Sequence, residues 1–226
     1  MSEDITEVEL EGFISEFKKN GGLDELPVDQ EKMSTFYGQF GQLWGDEIKK
    51  GTECNIWDVA GLKRDELRNS AVLAWLLNPQ GTHGQGALFL ESFGKLLGPD
   101  FEGIDVSVGT CVYVESLPLG DQESRVDIEL NGDEFLLFIE VKIDAPEQPD
   151  QVDRYRNIAS RKAENKKHRV CFLTPTGKDP KSSSASDNVI SISWKNCADA
   201  LKNAEIDRGS FVGLVALQFC EHIEKF

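Results

Sequence analysis

Residues 135–142 read FLLFIEVK, and this segment constrains the chain more than any other. Side chains alternate faces along a strand, so Phe135, Leu137, Ile139 and Val141 form one apolar face. The opposite face starts with Leu136 and Phe138 and ends with Glu140 and Lys142. A carboxylate and an ammonium therefore project together from one strand end. The preceding segment, SRVDIEL, carries Asp127, and the parity of the hairpin decides whether it joins them. A two-residue Asn131-Gly132 turn sets Asp127 opposite Leu136, offset from Glu140 by roughly 13 Å at the strand rise. A four-residue loop sets Asp127 opposite Glu140, whereas a three-residue loop flips the parity and breaks the site. We expect the four-residue loop, against the strong local Asn-Gly signal, because only that register lets both carboxylates reach one ion.

The segments around this hairpin alternate between two periods. Residues 4–19 and 29–49 carry apolar positions at helical spacing, among them Ile5, Val8, Phe13 and Phe17, and are separated by Gly21, Gly22 and Pro27. Further helices are expected over about 64–77, ending at Asn78-Pro79, and about 86–97, ending at Gly98-Pro99. Residues 105–116, 124–130 and 135–142 read as a three-stranded meander. Residues 151–165 return to helical composition, strands follow at 169–174 and 188–193, and helices lie near 195–204 and 210–224. KSSSAS, at 181–186, is a polar loop. This order predicts an α/β fold in which a mixed β-sheet is flanked by helices. Residues 1–60 are expected to form an acidic helical extension packed on a core domain of residues 61–226.

With 226 residues the chain is long enough to bury one substantial core, and no apolar run reaches the length of a membrane span. The acidic start MSEDITEVEL has no secretory pattern, so the chain is expected in the cytoplasm, with no membrane partner. Cys54, Cys111, Cys171, Cys197 and Cys220 stand singly and only three histidines occur, which reads as reduced thiols without a zinc site. The net charge of −16 opposes general coating of nucleic acid. Yet residues 1–60 and 98–150 together carry −21, so the remainder is mildly basic. Seven Lys or Arg face a single acid between Arg154 and Arg169. Taken alone, such a run is more often a solvated helix face.

Two carboxylates and a lysine at one hairpin end suit metal-assisted phosphodiester hydrolysis. Hard oxygen ligands hold Mg²⁺ with several of its waters retained, and the metal acidifies water and stabilises charge building at phosphorus. Lys142 would position the attacking hydroxide or neutralise that charge.

The set Asp127, Glu140 and Lys142, spaced VD-x12-E-V-K, resembles the PD-(D/E)XK nuclease superfamily, with a restriction-endonuclease-like core of helix, three strands, helix and strand. Gln151 and Tyr155 form a Q-x3-Y pattern similar to the RecB-like branch, and a spacing of four places both on one helix face. ELRNSAVLAWLLNPQGTHGQGALFLESF and IEVKIDAPEQPDQVDRYRN look like a bacterial subfamily with an upstream E-x3-S-x2-LAWLL helix and a following His-Gly turn. Val126 stands where the superfamily's name puts proline. The resemblance covers about half the chain and leaves residues 1–60 unexplained.

The resemblance implies a Mg²⁺-dependent nuclease, with Mn²⁺ able to substitute, acting on nucleic acid and on DNA in particular. It makes Asp127, Glu140 and the Val141 carbonyl metal ligands, and Lys142 the catalytic lysine. Glu66 would complete the metal site or orient a metal water. Gln151 and Tyr155 would contact the nucleic-acid backbone or brace the catalytic strand, with Arg154, Arg156 and Arg161 on phosphates. Bland alternatives stay open: an exposed Glu140–Lys142 pair, a Glu66 favoured by its helix dipole, a packed Tyr155 ring and a turn role for His83. Glu115, Glu123 and Glu129 could also reach the catalytic end. The competing function is an inactive binding or assembly module using the fold and its acidic surface, docking a protein partner through residues 1–60. Many superfamily members cut as homodimers, but the sequence shows no interface signal. Endonuclease and exonuclease action both stay open.

Overall fold

The computed structural model describes residues 15, 16, 19, 29–51, 54–120, 125–148, 150–181 and 188–226. It divides into two units, residues 1–54 and 55–226. In the first, helix α1 (Gln30–Lys50) starts at Asp29, whose carboxylate accepts the Lys32 N–H, and stops at Gly51 in the left-handed region. Residues 15, 16 and 19 are helical, and the rest of the helix expected over 4–19, with Ile5, Val8, Phe13 and Phe17, lies outside the described residues. So do Glu123 and most of the loop expected at 181–186.

The second unit carries α2 (Ile56–Val59), α3 (Glu66–Leu77), α4 (Leu88–Gly94), β1 (Cys111–Ser116), β2 (Val126–Asn131) and β3 (Phe135–Val141). It continues with α5 (Gln151–Ala163), β4 (Lys167–Thr174), β5 (Val189–Ser193), α6 (Trp194–Lys202) and α7 (Phe211–Ile223). The strands form one mixed sheet in the order β1-β2-β3-β4-β5, antiparallel from β1 to β3 and parallel from β3 to β5. β3 is central and buried at every position. One of its faces packs Leu137, Ile139 and Val141 with Leu73 and Leu77 of α3, Phe93 of α4 and Phe219 of α7. The other packs Leu136 and Phe138 against Val152, Tyr155 and Ile158 of α5. The chain thus forms the mixed sheet with flanking helices that its segment order implies.

The β2–β3 register is the one the site requires. Ile128 lies opposite Ile139 and Asn131 opposite Leu136, which puts four residues, 132–135, between these last partners, the fourth already in β3, and carries Asp127 opposite Glu140. Tertiary packing overrides the Asn-Gly turn. The Phe135 ring lies so close to Gly132 that a Cβ there would meet it at 2.3 Å, and Lys166 Nζ donates to Asn131 Oδ1 and the Gly132 carbonyl at 2.8 and 2.7 Å. Other expectations shift at their edges. β1 begins at Cys111 rather than 105, because the Asp105 carboxylate accepts the Ser107 N–H and hydroxyl and turns the chain there. The helix expected from 86 begins at Leu88, after Gly84 and Gly86 with positive φ. Trp75 is half-buried and packs against the core, its indole N–H donating to Thr82 Oγ1.

An ion pair ties α5 to β2. Glu129 is fully buried, accepts the Ser116 hydroxyl at 2.6 Å, and lies 2.6 Å from Lys162 Nζ. Removing the lysine strands a buried carboxylate. Lys162→Met should therefore cost about 2–4 kcal/mol, and adding Glu129→Gln should recover most of that. Urea unfolding measures both, and equal stability of Lys162→Met and wild type would contradict this role.

Candidate active site

Three strands and two helices converge at the end of β3. Glu140 is 1 % exposed, and its Oε1 lies 2.5 Å from Lys142 Nζ and accepts Gln151 Nε2 at 2.7 Å. Asp127 approaches from β2. Its side chain lies within hydrogen-bonding reach of Glu140, and its Oδ2 accepts the Val141 N–H at 2.7 Å. Burial is the main cause of a Glu140 pKa pushed up from 4.5 to about 8; the Asp127 charge adds to it and Lys142 opposes it. Asp127 is also raised, first by burial and then against the Val141 N–H bond and the Lys142 charge. Burial disfavours the Lys142 ammonium, but the adjacent Glu140 more than offsets this and keeps its pKa above the ordinary value.

Bracing comes from both sides of the sheet. On α5, Gln151 Nε2 also reaches Tyr155 Oη at 3.1 Å, and the Tyr155 hydroxyl donates to the Arg125 carbonyl at 2.5 Å. Burial and the Glu140 charge push the phenol up to about 12, so it stays a neutral donor. Gln151 and Tyr155 thus link β3 to the residue that precedes β2. On the other side, Glu66 Oε1 accepts the N–H groups of Ile143, Asp144 and Ala145 at 2.7, 3.1 and 3.0 Å. A carboxylate at a helix start gathers such donors readily, and here they belong to the loop after the lysine.

The same loop is gripped by residues that carry no sequence signal. Arg64 makes a bidentate pair with Asp144, and Trp194 Nε1 donates to the Lys142 carbonyl at 3.1 Å. Neither side chain belongs to a motif or a recognisable spacing, and both come close only through the fold. Arg125 and the Glu129–Lys162 pair are equally silent in sequence as partners. His83 is a turn residue, its Nε2 bonded to the Asn78 carbonyl and its Nδ1 accepting the Gln85 N–H.

Helical geometry separates the three arginines. Arg154 and Arg161 fall on one flank of α5 and Arg156 on the other. The Arg154 guanidinium lies 5.7 Å from the Tyr155 ring centre, and among the described residues its buried Nε has no hydrogen-bond partner. Arg156 pairs with Asp153 at 3.3 Å, and Arg161 is exposed.

One oxygen is not accounted for by these contacts. Glu140 Oε2 is buried and has no hydrogen-bond partner among the described residues. An unpartnered carboxylate oxygen beside a second carboxylate is costly unless a proton or a cation lies between them. The donor set is hard, two carboxylates with the Val141 carbonyl nearby, which fits a divalent ion that keeps several waters. Among the described residues no three His, Cys, Asp or Glu side chains cluster closely enough to form a complete cage.

The raised Glu140 pKa has a consequence for stability. Between pH 4.5 and about 8 the folded chain holds a proton that the unfolded chain has released. This contribution is fully present below pH 4.5 and is lost as pH rises through about 8. In chelator, the stability of Glu140→Gln should fall less steeply across this window than that of wild type. Urea titrations at several pH values measure the slopes, and equal slopes would contradict the account.

No curated protein and no solved structure matches the chain. Among the described residues, no helix is long and apolar enough to cross a membrane. The family model of the PD-(D/E)XK nuclease superfamily matches residues 54–221, a span that holds every strand of the sheet and both sides of the acidic cluster. With most of its length matched, the chain belongs to the PD-(D/E)XK nuclease superfamily, a family of nuclease-type hydrolases.

Proposed function

We propose that the chain is a Mg²⁺-dependent nuclease that hydrolyses phosphodiester bonds in DNA, with Mn²⁺ able to replace Mg²⁺. The observation that carries this reading is the buried, unpartnered Glu140 Oε2 beside Asp127. A scaffold gains nothing from crowding two carboxylates in a poorly solvated pocket, since they repel each other without a cation. This weighs against a purely docking role for the acidic surface.

Asp127, Glu140 and the Val141 carbonyl would hold the ion, and Glu66 would keep the loop after Lys142 in place. When bound, a divalent ion polarises phosphoryl oxygens and makes water acidic enough to attack. Lys142, 13 % exposed and held by Glu140, presents an ammonium that balances charge gathering on the phosphate. Gln151 and Tyr155 fix the position of Glu140 and of the start of β2. Arg154 and Arg161, along one flank of α5, provide cations for the flanking phosphates, and Arg156 adds charge on the opposite flank. DNA is favoured over RNA by the family resemblance alone, so substrate choice is part of the test.

Plasmid DNA and a matched RNA, each incubated with protein and Mg²⁺ or Mn²⁺, provide that test. DNA should be cut, chelator should stop cutting, and Asp127→Ala or Lys142→Ala should lower the rate at least about a hundredfold while circular dichroism stays unchanged. Cutting of DNA by both variants at the wild-type rate would refute the site. Preferential cutting of RNA would refute the substrate. For binding, the double variant Arg154→Gln/Arg161→Gln should weaken DNA affinity and reduce the salt slope by about 2; an unchanged slope would remove both arginines from the interface.

A further inference from the structure

Residues 142–145 leave the sheet at the end of β3, and Asp144 and Ala145 are exposed. Water ordinarily satisfies much of the backbone of such a segment; here the protein does. The Lys142 N–H donates to the Leu173 carbonyl at 2.8 Å, and the next three N–H groups all reach Glu66 Oε1. The Lys142 carbonyl accepts Trp194 Nε1, and the Ile143 carbonyl accepts Arg64 Nη2 at 3.3 Å. Every backbone N–H from Lys142 to Ala145 is thus taken, together with two of the carbonyls. So dense a set of bonds leaves the stretch beside the Lys142 ammonium little freedom.

The two side chains that hold those carbonyls come from distant parts of the chain, yet both rest on the Phe226 ring. Trp194 is 1 % exposed, and its ring centre lies 5.4 Å from that of Phe226 at 84°, an edge-to-face arrangement. The Arg64 guanidinium carbon lies 5.0 Å from the Phe226 ring centre, close enough for the cation to be attracted by the π-system. His222 of α7 meets the same ring at 5.2 Å and 82°. Its Nε2 donates to the carbonyl of Lys63, whose φ of 47° turns the chain into Arg64. Each of these three side chains therefore donates to a backbone carbonyl, at Lys142, Ile143 and Lys63. Phe226 packs on the edge of the main core. A leucine there would keep that apolar packing but give Arg64 no π face and Trp194 no aromatic partner.

We propose that Phe226 is a positioning residue for the catalytic lysine: its ring sets Trp194 and Arg64, and these two fix the backbone from Lys142 to Asp144. This rests on the nuclease reading above and adds a residue that touches neither cation nor DNA. Glu140 restrains the Lys142 side chain at its tip, and the Phe226 group restrains it at its root. Slackening the root lets the ammonium drift from the reacting phosphate, while Asp127, Glu140 and the arginines of α5 keep their hold on cation and DNA.

Rates of plasmid cutting at several DNA concentrations in Mg²⁺, with Mn²⁺ calorimetry and indole N–H exchange followed by NMR on the same chains, test this. Phe226→Leu should lower kcat about tenfold or more and leave KM and Mn²⁺ affinity within about twofold of wild type. Phe226→Tyr, which keeps the ring, should restore kcat. The Trp194 indole N–H, identified by its loss in Trp194→Phe, should lose protection against exchange in Phe226→Leu but not in Phe226→Tyr. Trp194→Phe should itself slow cutting, and adding Phe226→Leu should slow it little further, since both act through the Lys142 carbonyl. If Phe226→Leu cuts as wild type, or Phe226→Tyr is as slow as Phe226→Leu, the inference fails and the nuclease reading stands. A matching rise in KM, a loss of Mn²⁺ affinity, multiplicative losses in the double variant or failure of Phe226→Leu to fold would make the ring a general support and overturn the assignment. If the wild type shows no metal-dependent cutting, the nuclease reading fails and the inference falls with it.

Discussion

Glu140 ends a strand that is apolar on both faces, and its burial is the constraint on which the rest of the structure depends. Taking a carboxylate out of water costs several kcal/mol even after relaxation, and a second carboxylate on the next strand adds repulsion. The fold offsets this locally. Lys142 and Gln151 satisfy Oε1, and the Val141 N–H serves Asp127. Each of these groups comes from β3, from the residue directly after it or from the helix that follows, so the order of elements in the chain is also the order of support around the site.

The two sheet faces divide the work. The face towards α3, α4, α6 and α7 is the large apolar core, and it anchors the loop after Lys142 through Glu66, Arg64 and Trp194. The α5 face is smaller and carries the polar chain Glu140–Gln151–Tyr155–Arg125, with the Glu129–Lys162 pair farther along the same helix. Rigid elements on both sides hold the lysine and the two carboxylates, while Arg161 on α5 stays exposed.

Much of this was legible in the sequence because it follows from parity and spacing. FLLFIEVK announces a two-faced strand, Asp127 can join Glu140 in only one register, and Gln151 and Tyr155 must share a helix face. The Asn131-Gly132 turn shows where local propensity misleads, since the Phe135 ring and the Lys166 ammonium select the longer loop. Trp194 and Arg64 could not be found this way. Each acts across more than fifty residues of chain through contacts that only the assembled layers create. The left-handed backbone of Glu115, with φ of 53°, was equally hidden, because a glutamate in a strand carries no mark of its backbone angle.

The central claim is that Asp127 and Glu140 converge on one divalent cation. A crystal soaked in Mn²⁺ and measured for anomalous scattering tests it most directly. The account predicts a single strong peak within coordination distance of both carboxylates, with Glu140 Oε2 among the ligands. A fully soaked crystal with no peak between them, or with a peak bound by other residues alone, would contradict it.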